Sequence, residues 1–249
     1  MFEPTIPFGE PELMRVSAFQ RYLDELVRRA GGSGITSRLS ALSLSLMEDL
    51  LRFEHDGRVS EPLEVMAACV RHAQRVTVHL KNDTRVVPLT IFPQERLVHC
   101  PVELERLLML RLTELEVLHV EPALLRPPGD PEPALVGDLP LYRPLGTLLW
   151  DLALRGGRGE LLPEIAGPAA YRVSPGLDLT GLNLSGSMLA AVQRLRRETT
   201  NLRDLSRWPG FDRERAMRLL NALYLQAGLI VSRTHPNATS ESWFGGLGL

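Results

Sequence analysis

Lysine is almost missing from this chain: Lys81 stands alone against 27 arginines. Chemistry that needs an amine, such as a Schiff base or a Walker phosphate-binding lysine, would have to use Lys81, and no Gly-rich loop precedes it. There are two cysteines, Cys69 and Cys100. They lie 31 residues apart and form no Cys-x-x-Cys, which argues against a zinc knuckle or a redox pair. Their neighbours (MAACV, LVHCPV) are apolar, so both read as buried, reduced thiols. Aromatic residues make up 6% of the chain, too few for a sugar-binding cleft with paired carboxylates. No apolar run approaches the ~20 residues of a membrane helix. The opening MFEPTIPFGEPEL carries acids and prolines where a signal peptide needs a basic start and an apolar run, so a cytoplasmic protein without membrane association is expected. Also absent are G-x-S-x-G, H-E-x-x-H and G-x-G-x-x-G. The sequence therefore nominates no catalytic, cofactor-binding or metal-ligating residue, and no cofactor.

What remains is ordinary for a folded protein. The chain has 249 residues, 44% apolar and 23% charged, enough for one to three domains. Its charge is uneven. Residues 187–235 hold nine arginines (194, 196, 197, 203, 207, 213, 215, 218, 233) and four acids, about +5, on a chain whose net charge is −2. A basic segment on an acidic chain is what phosphate binding needs.

That same stretch has the clearest local pattern. Met188, Leu189, Val192 and Leu195 recur at helical spacing after Ser187, which can act as an N-cap. Thr199 to Asn201 suit a second helix start, with Leu202 and Leu205 on its apolar side. Pro209-Gly210 is a turn signal. Asp212 caps a third helix striped by Ala216, Leu219, Leu220 and Leu223, and Gly228 is placed to end it in the left-handed conformation. Leu229-Ile230-Val231 reads as a strand, residues 234–242 as a wing, and Trp243-Phe244 as the returning strand. These residues resemble the winged helix-turn-helix family over about 187–249. The resemblance implies a fold that serves DNA readers and protein-binding modules alike.

The rest of the chain sets the context. Helices are expected from Pro11 to the Gly31–Gly34 break, from Ser37 to Phe53 (where the Leu/Ser alternation also fits a strand), and from Pro62 to Arg75. Strands are expected at 76–80, 86–92, 96–100 and 115–121, with a helix over 102–112. Asn82-Asp83 signals a hairpin, and Pro88 an edge or bulge. In order and pattern this α-β-β-β-α-β unit resembles the PATAN-type accessory domains of bacterial signalling proteins. His79, His99 and His119 all fall in strands. Were the strands adjacent the imidazoles could converge on a zinc ion, but a histidine on the polar face of a half-buried strand needs no metal.

Residues 121–140 contain six prolines, which excludes a helix or a central strand and marks a linker or a strap pinned by Leu124, Leu125, Leu135 and Val136. The expected organisation is thus α+β: a small α/β sandwich over 1–121, a Pro-rich linker over 122–140, and a helical region over 141–249 ending in the winged helix. A helix is expected over 141–155, a short one near 160–166, and a strand at 171–173.

Two functions follow. In the first, the chain is a non-catalytic bacterial signalling or assembly adaptor that binds a protein partner. At ~100° per residue, the third helix turns Glu214, Arg218, Asn221, Ala222 and Leu225 away from its core stripe, so Ala222 and Leu225 are the partner-binding candidates. The N-terminal helices offer a second surface, for a partner or a second copy of the chain. In the alternative, the chain is a DNA-binding regulator with an N-terminal sensing domain. Arg213, Arg215 and Arg218 would then contact DNA, assisted by Arg194, Arg196 and Arg197.

Overall fold

The computed structural model describes residues 13–29, 42–55, 61–109 and 111–238. Its helices and antiparallel strands make it an α+β protein. Two compact units divide between Leu148 and Leu149. Among the described residues no helix is long and apolar enough to cross a membrane.

The first unit contains α1 (Val16–Arg29), α2 (Leu44–His55), α3 (Pro62–Arg71), β1 (Val76–Asn82), β2 (Arg85–Phe92), β3 (Leu97–His99), α4 (Leu104–Leu108), β4 (Glu116–Pro122), β5 (Tyr142–Pro144) and the start of α5 (Leu145–Arg155). Its strands form one antiparallel sheet in the order β4-β1-β2-β3-β5. Alternation puts Val76, Val78 and Leu80 of β1 into the core and Thr77, His79 and Lys81 on the other face. The Asn82-Asp83 hairpin forms, with Asp83 at a φ of +53°. Pro88 lies in a strand with neighbours on both sides, but β3 pairs only with Thr90–Phe92. At Pro88 itself β2 is hydrogen-bonded on one side only, which is how the ring is tolerated.

Three expectations need correction. Residues 142–144 are not helical: Tyr142–Pro144 pairs with β3 as the sheet's last strand, so the first unit runs past the expected boundary to Leu148. Residues 160–166 form turns rather than a helix. The 122–140 segment is pinned, but not by Leu124 and Leu135, which are 74% and 41% exposed, while Leu125 and Val136 are half-buried. Polar contacts also hold it. The Tyr142 hydroxyl donates to the Arg126 carbonyl (2.6 Å) and accepts from the Gly137 amide (3.0 Å). The Arg126 amide donates to the Leu135 carbonyl. Proline removes donors, so a strap of this composition is anchored by the few residues that still have them. The start of the expected second helix, residues 37–41, lies outside the described residues.

The second unit holds the rest of α5, then β6 (Ala170–Val173), α6 (Gly186–Leu195), β7 (Thr200–Asn201), α7 (Leu202–Leu205), α8 (Arg213–Leu225) and β8 (Leu229–Ser232). Asn201 and Asp212 cap α7 and α8, accepting from the amides of Asp204 and Arg215. Val192, Leu195, Leu205, Leu219, Leu220 and Leu223 fill the core. The sheet order is β7-β6-β8. The strand between β7 and β8 thus comes from before the three helices. The expected returning strand at Trp243-Phe244 lies outside the described residues. Gly228 also differs from expectation. Ala227 takes the left-handed conformation (φ +56°) that ends α8, and Gly228 is needed because a Cβ there would collide with Leu177.

Candidate functional site

The outer side of α8 bears on both expected functions, and from Arg218 to Leu225 it is closed, while Arg213, Glu214 and Arg215 at its start are exposed. Ala222 is 0% and Leu225 3% exposed, so neither can be the partner-binding surface the helical wheel assigned to them. The segment after α5 packs against this side. The Asn221 carboxamide accepts from the Leu162 amide (2.9 Å) and donates to the Glu160 carbonyl (2.8 Å). The Arg218 guanidinium donates to the carbonyls of Leu154 (3.3 Å) and Gly156 (2.8 Å) and pairs with Glu214 (2.8 Å). A helix apolar on two sides is buried on both. The assignment of Arg218 to DNA is therefore corrected: its fork closes a carbonyl pair inside the fold.

The other arginines divide in the same way. Arg233, just before the expected wing, donates to the carbonyls of Glu164, Ala166 and Pro168. Arg196 donates to the Leu177 carbonyl (2.6 Å) and its own carbonyl accepts from Arg172 (3.3 Å). The planar guanidinium, with five donors in a fixed fork, suits carbonyl groups that a helix or loop end leaves open. Arg194 lies over the Trp208 ring at 4.1 Å and pairs with Glu198. Arg215 lies 5.5 Å from the Phe211 ring centroid. Six arginines (194, 197, 203, 207, 213 and 215) remain exposed around α6, α7 and the start of α8, beside the exposed carboxylates of Glu198, Asp204, Asp212 and Glu214. Six against four leaves a mixed surface and not a cationic stripe.

Among the described residues, an open concavity of this unit lies elsewhere. Loop 174–185, between β6 and α6, arches beside α6 and encloses a groove of ≈ 500 Å³. Leu177, Leu179, Leu182, Leu184, Leu189 and Val192 line it, with Asp178, Thr180, Gln193 and Arg196 among them. Leu189, Val192, Gln193 and Arg196 follow each other along one face of α6 at helical spacing. The loop is held in shape: Asp178 accepts from the Thr180 amide (2.8 Å), Arg196 grips the Leu177 carbonyl, and Leu177 fills the space over Gly228. The hydrogen bonds from Thr180 hold the Asp178 carboxyl below its ordinary range. The groove therefore offers leucine side chains interleaved with polar groups, so an occupant would need apolar and polar contacts together. Sequence reasoning passed over this loop; the recurring leucines of GLDLTGLNLS were the signal it carried.

Two other clusters carry reactive side chains. His79 and His119 face each other across β1 and β4 with ring centroids 5.9 Å apart; Phe19 stacks on His79 at 4.7 Å, and His79 Nε2 pairs with Glu121 (2.9 Å). His99 does not join them. It sits on β3 against Tyr142 (4.9 Å), so the three strand histidines do not converge. Burial lowers the affinity of both His99 and His119 for a proton. Among the described residues, no group of three or more His, Cys, Asp and Glu could hold a metal ion.

In the second cluster, His72 bridges Ser45 (Nδ1 to Oγ, 3.2 Å) and Asp49 (Nε2 to Oδ2, 2.7 Å), and Arg71 also pairs with Asp49. The order serine, histidine, aspartate is that of a nucleophilic triad. Here, though, the ring spans two α2 positions one turn apart, and Arg71 neutralises the carboxylate that would stabilise an imidazolium. The cluster is a polar clasp between α2 and the end of α3.

In comparisons with known proteins, no family model matches the chain, and neither a curated protein nor a solved structure matches it.

Proposed function

We propose that this chain is a non-catalytic signalling or assembly adaptor, and that its second unit is a winged helix that binds an apolar segment of a protein partner in the groove beside α6. The observation that carries this reading is the closure of α8. A groove-reading helix must offer its outer face to base edges. On α8 that face is closed from Arg218 onward, with Arg218 and Asn221 bonded to residues 154–162. The order α6, β7, α7, α8, β8 supports the winged-helix assignment, with β6 in the place of the returning strand. The groove supports the choice of partner: among the described residues it is a concavity lined by leucines and polar groups, and Leu189 is 39% exposed within it.

Selection of a random displayed peptide library on the full chain tests the proposal. Peptides with paired apolar anchors should be enriched, and their binding should disappear on Leu189→Arg, which puts a charge into the groove wall. Selected peptides that bind Leu189→Arg as well as the wild type would overturn it.

A further inference from the structure

We infer that the outer edge of β8 is a docking edge for a second copy of this chain, the two β8 strands pairing antiparallel about a twofold axis at Ile230. In the register of β6 with β8, Arg172 faces Ile230 and Ala170 faces Ser232. One pair further along, the Ser174 amide donates to the Gly228 carbonyl (2.8 Å). Antiparallel strands exchange hydrogen bonds at alternate pairs. Gly228, Ile230 and Ser232 therefore bond toward β6, and the N–H and C=O of Leu229 and Val231 point off the sheet. Among the described residues these four groups have no hydrogen-bond partner.

The edge lacks the usual guards. β8 reads Leu-Ile-Val-Ser, with no charge and no proline, and its register with β6 is continuous, without a bulge. Ile230 is 48% exposed. The chain also turns away from this edge. Asn237 Nδ2 donates to the Thr199 carbonyl (2.9 Å), and the Asn237 carbonyl accepts from Asn201 Nδ2 (3.1 Å), on the β7 side of the sheet.

Symmetry selects a second copy as the occupant. Leu229 and Val231 flank Ile230 equally. With Ile230 opposite its counterpart, the Leu229 N–H of each strand meets the Val231 carbonyl of the other, and the Val231 N–H meets the Leu229 carbonyl. Every open group of both strands is then used. The two Ile230 side chains meet as a non-hydrogen-bonded pair, the arrangement that brings side chains closest. Charge is compatible with this register. Arg233 would fall opposite Ala227 of the second copy, and its guanidinium is already committed to the carbonyls of Glu164, Ala166 and Pro168. No like charges confront each other across the axis. The contact uses none of the residues that line the groove beside α6.

Sedimentation velocity of the full-length protein, from low micromolar to near-millimolar concentration, tests the inference. A concentration-dependent dimer is expected. Ile230→Lys and Ile230→Glu should each weaken it about tenfold or more, because like charges then face each other. An equimolar mixture of the two variants should restore it as a heterodimer. Leu189→Arg should leave it unchanged, which separates this edge from the peptide groove. Under mild oxidation Ile230→Cys should give a disulfide-linked dimer, since the pair lies within disulfide reach and the native thiols are buried. Ser232→Cys, about 13 Å from its counterpart in this register, should not. A monomer throughout the range would overturn the inference and leave the adaptor reading standing. So would a dimer that both charged variants leave intact, or one that their mixture fails to restore.

Discussion

Asn221 of α8 holds Leu162 as a strand neighbour would: one carboxamide takes the Leu162 amide and gives a proton to the Glu160 carbonyl, two residues back. The helix that a winged fold would present to a ligand is thereby turned into a wall.

Removing that carboxamide should be costly. Asn221→Leu keeps the branched shape but leaves the buried Leu162 N–H and the part-buried Glu160 C=O without these partners, at ~1–3 kcal/mol for a buried group. Chemical denaturation should show the second unit destabilised by about 2–4 kcal/mol. A change below about 0.5 kcal/mol, the scale of a neutral surface substitution, would mean that the two bonds do not close this face.

DNA binding gives the next contrast. With Arg218, Arg196 and Arg233 committed to carbonyl groups, the exposed arginines face nearly as many carboxylates. Anisotropy of a random-sequence duplex should therefore show at most weak association at low salt, and Arg213→Glu/Arg215→Glu should leave it nearly unchanged. Micromolar binding with a steep salt slope, flattened by those charge reversals, would favour the regulator alternative.

Both thiols should be silent in the folded protein. Burial pushes Cys69 up to about 12 and Cys100 up to about 11, and both are free. Thiol reagent at pH 8 should titrate no cysteine in the native chain and two after unfolding. Rapid reaction of either one in the native state would show that its surroundings open.

Much of the architecture could be read from periodicity, because the hydrophobic stripes of α3, α6 and α8 and the alternation of β1 are local. What could not be read is set by contacts between distant segments. Arg218 meets Leu154 across 64 positions, and Arg233 meets Glu164 across 69. No spacing rule reports that a guanidinium has found a carbonyl. Ala222 and Leu225 show the same limit. On a helical wheel they lie opposite the core stripe and suggest an exposed apolar patch; a second apolar side on α8 was in fact the mark of a second packed neighbour. The strap failed differently: its leucines suggested burial, while Tyr142 and Arg126 do the anchoring.

Acid should loosen the first unit in two stages. Burial depresses the proton affinity of His99, with Asp138 opposing, and of His119. The unfolded chain then takes up protons first, so stability present above about pH 6.5 declines as pH falls toward the folded values, by up to ~1.4 kcal/mol per pH unit for each ring. His99 is also pressed by the strap: a Cβ at Gly137 would lie 2.8 Å from its Nε2. His99→Gln should flatten the dependence between pH 7 and 5. Asp49 acts lower on the scale. Burial raises its carboxyl, but hydrogen bonds from His72 and Arg71 outweigh this and hold it below its ordinary value. Its contribution is present above about pH 3.9 and is lost as pH falls through the folded value. A denaturation midpoint that is flat from pH 7 to 5, and unaltered by His99→Gln, would contradict the first stage.

Chemical-shift mapping of a display-selected peptide on the full-length protein tests the central claim most directly. The account predicts shifts confined to residues 177–184 and the Leu189, Val192, Gln193 face of α6, with the start of α8 unaffected. Shifts centred on Arg213 and Arg215, with loop 177–184 unmoved, would contradict it.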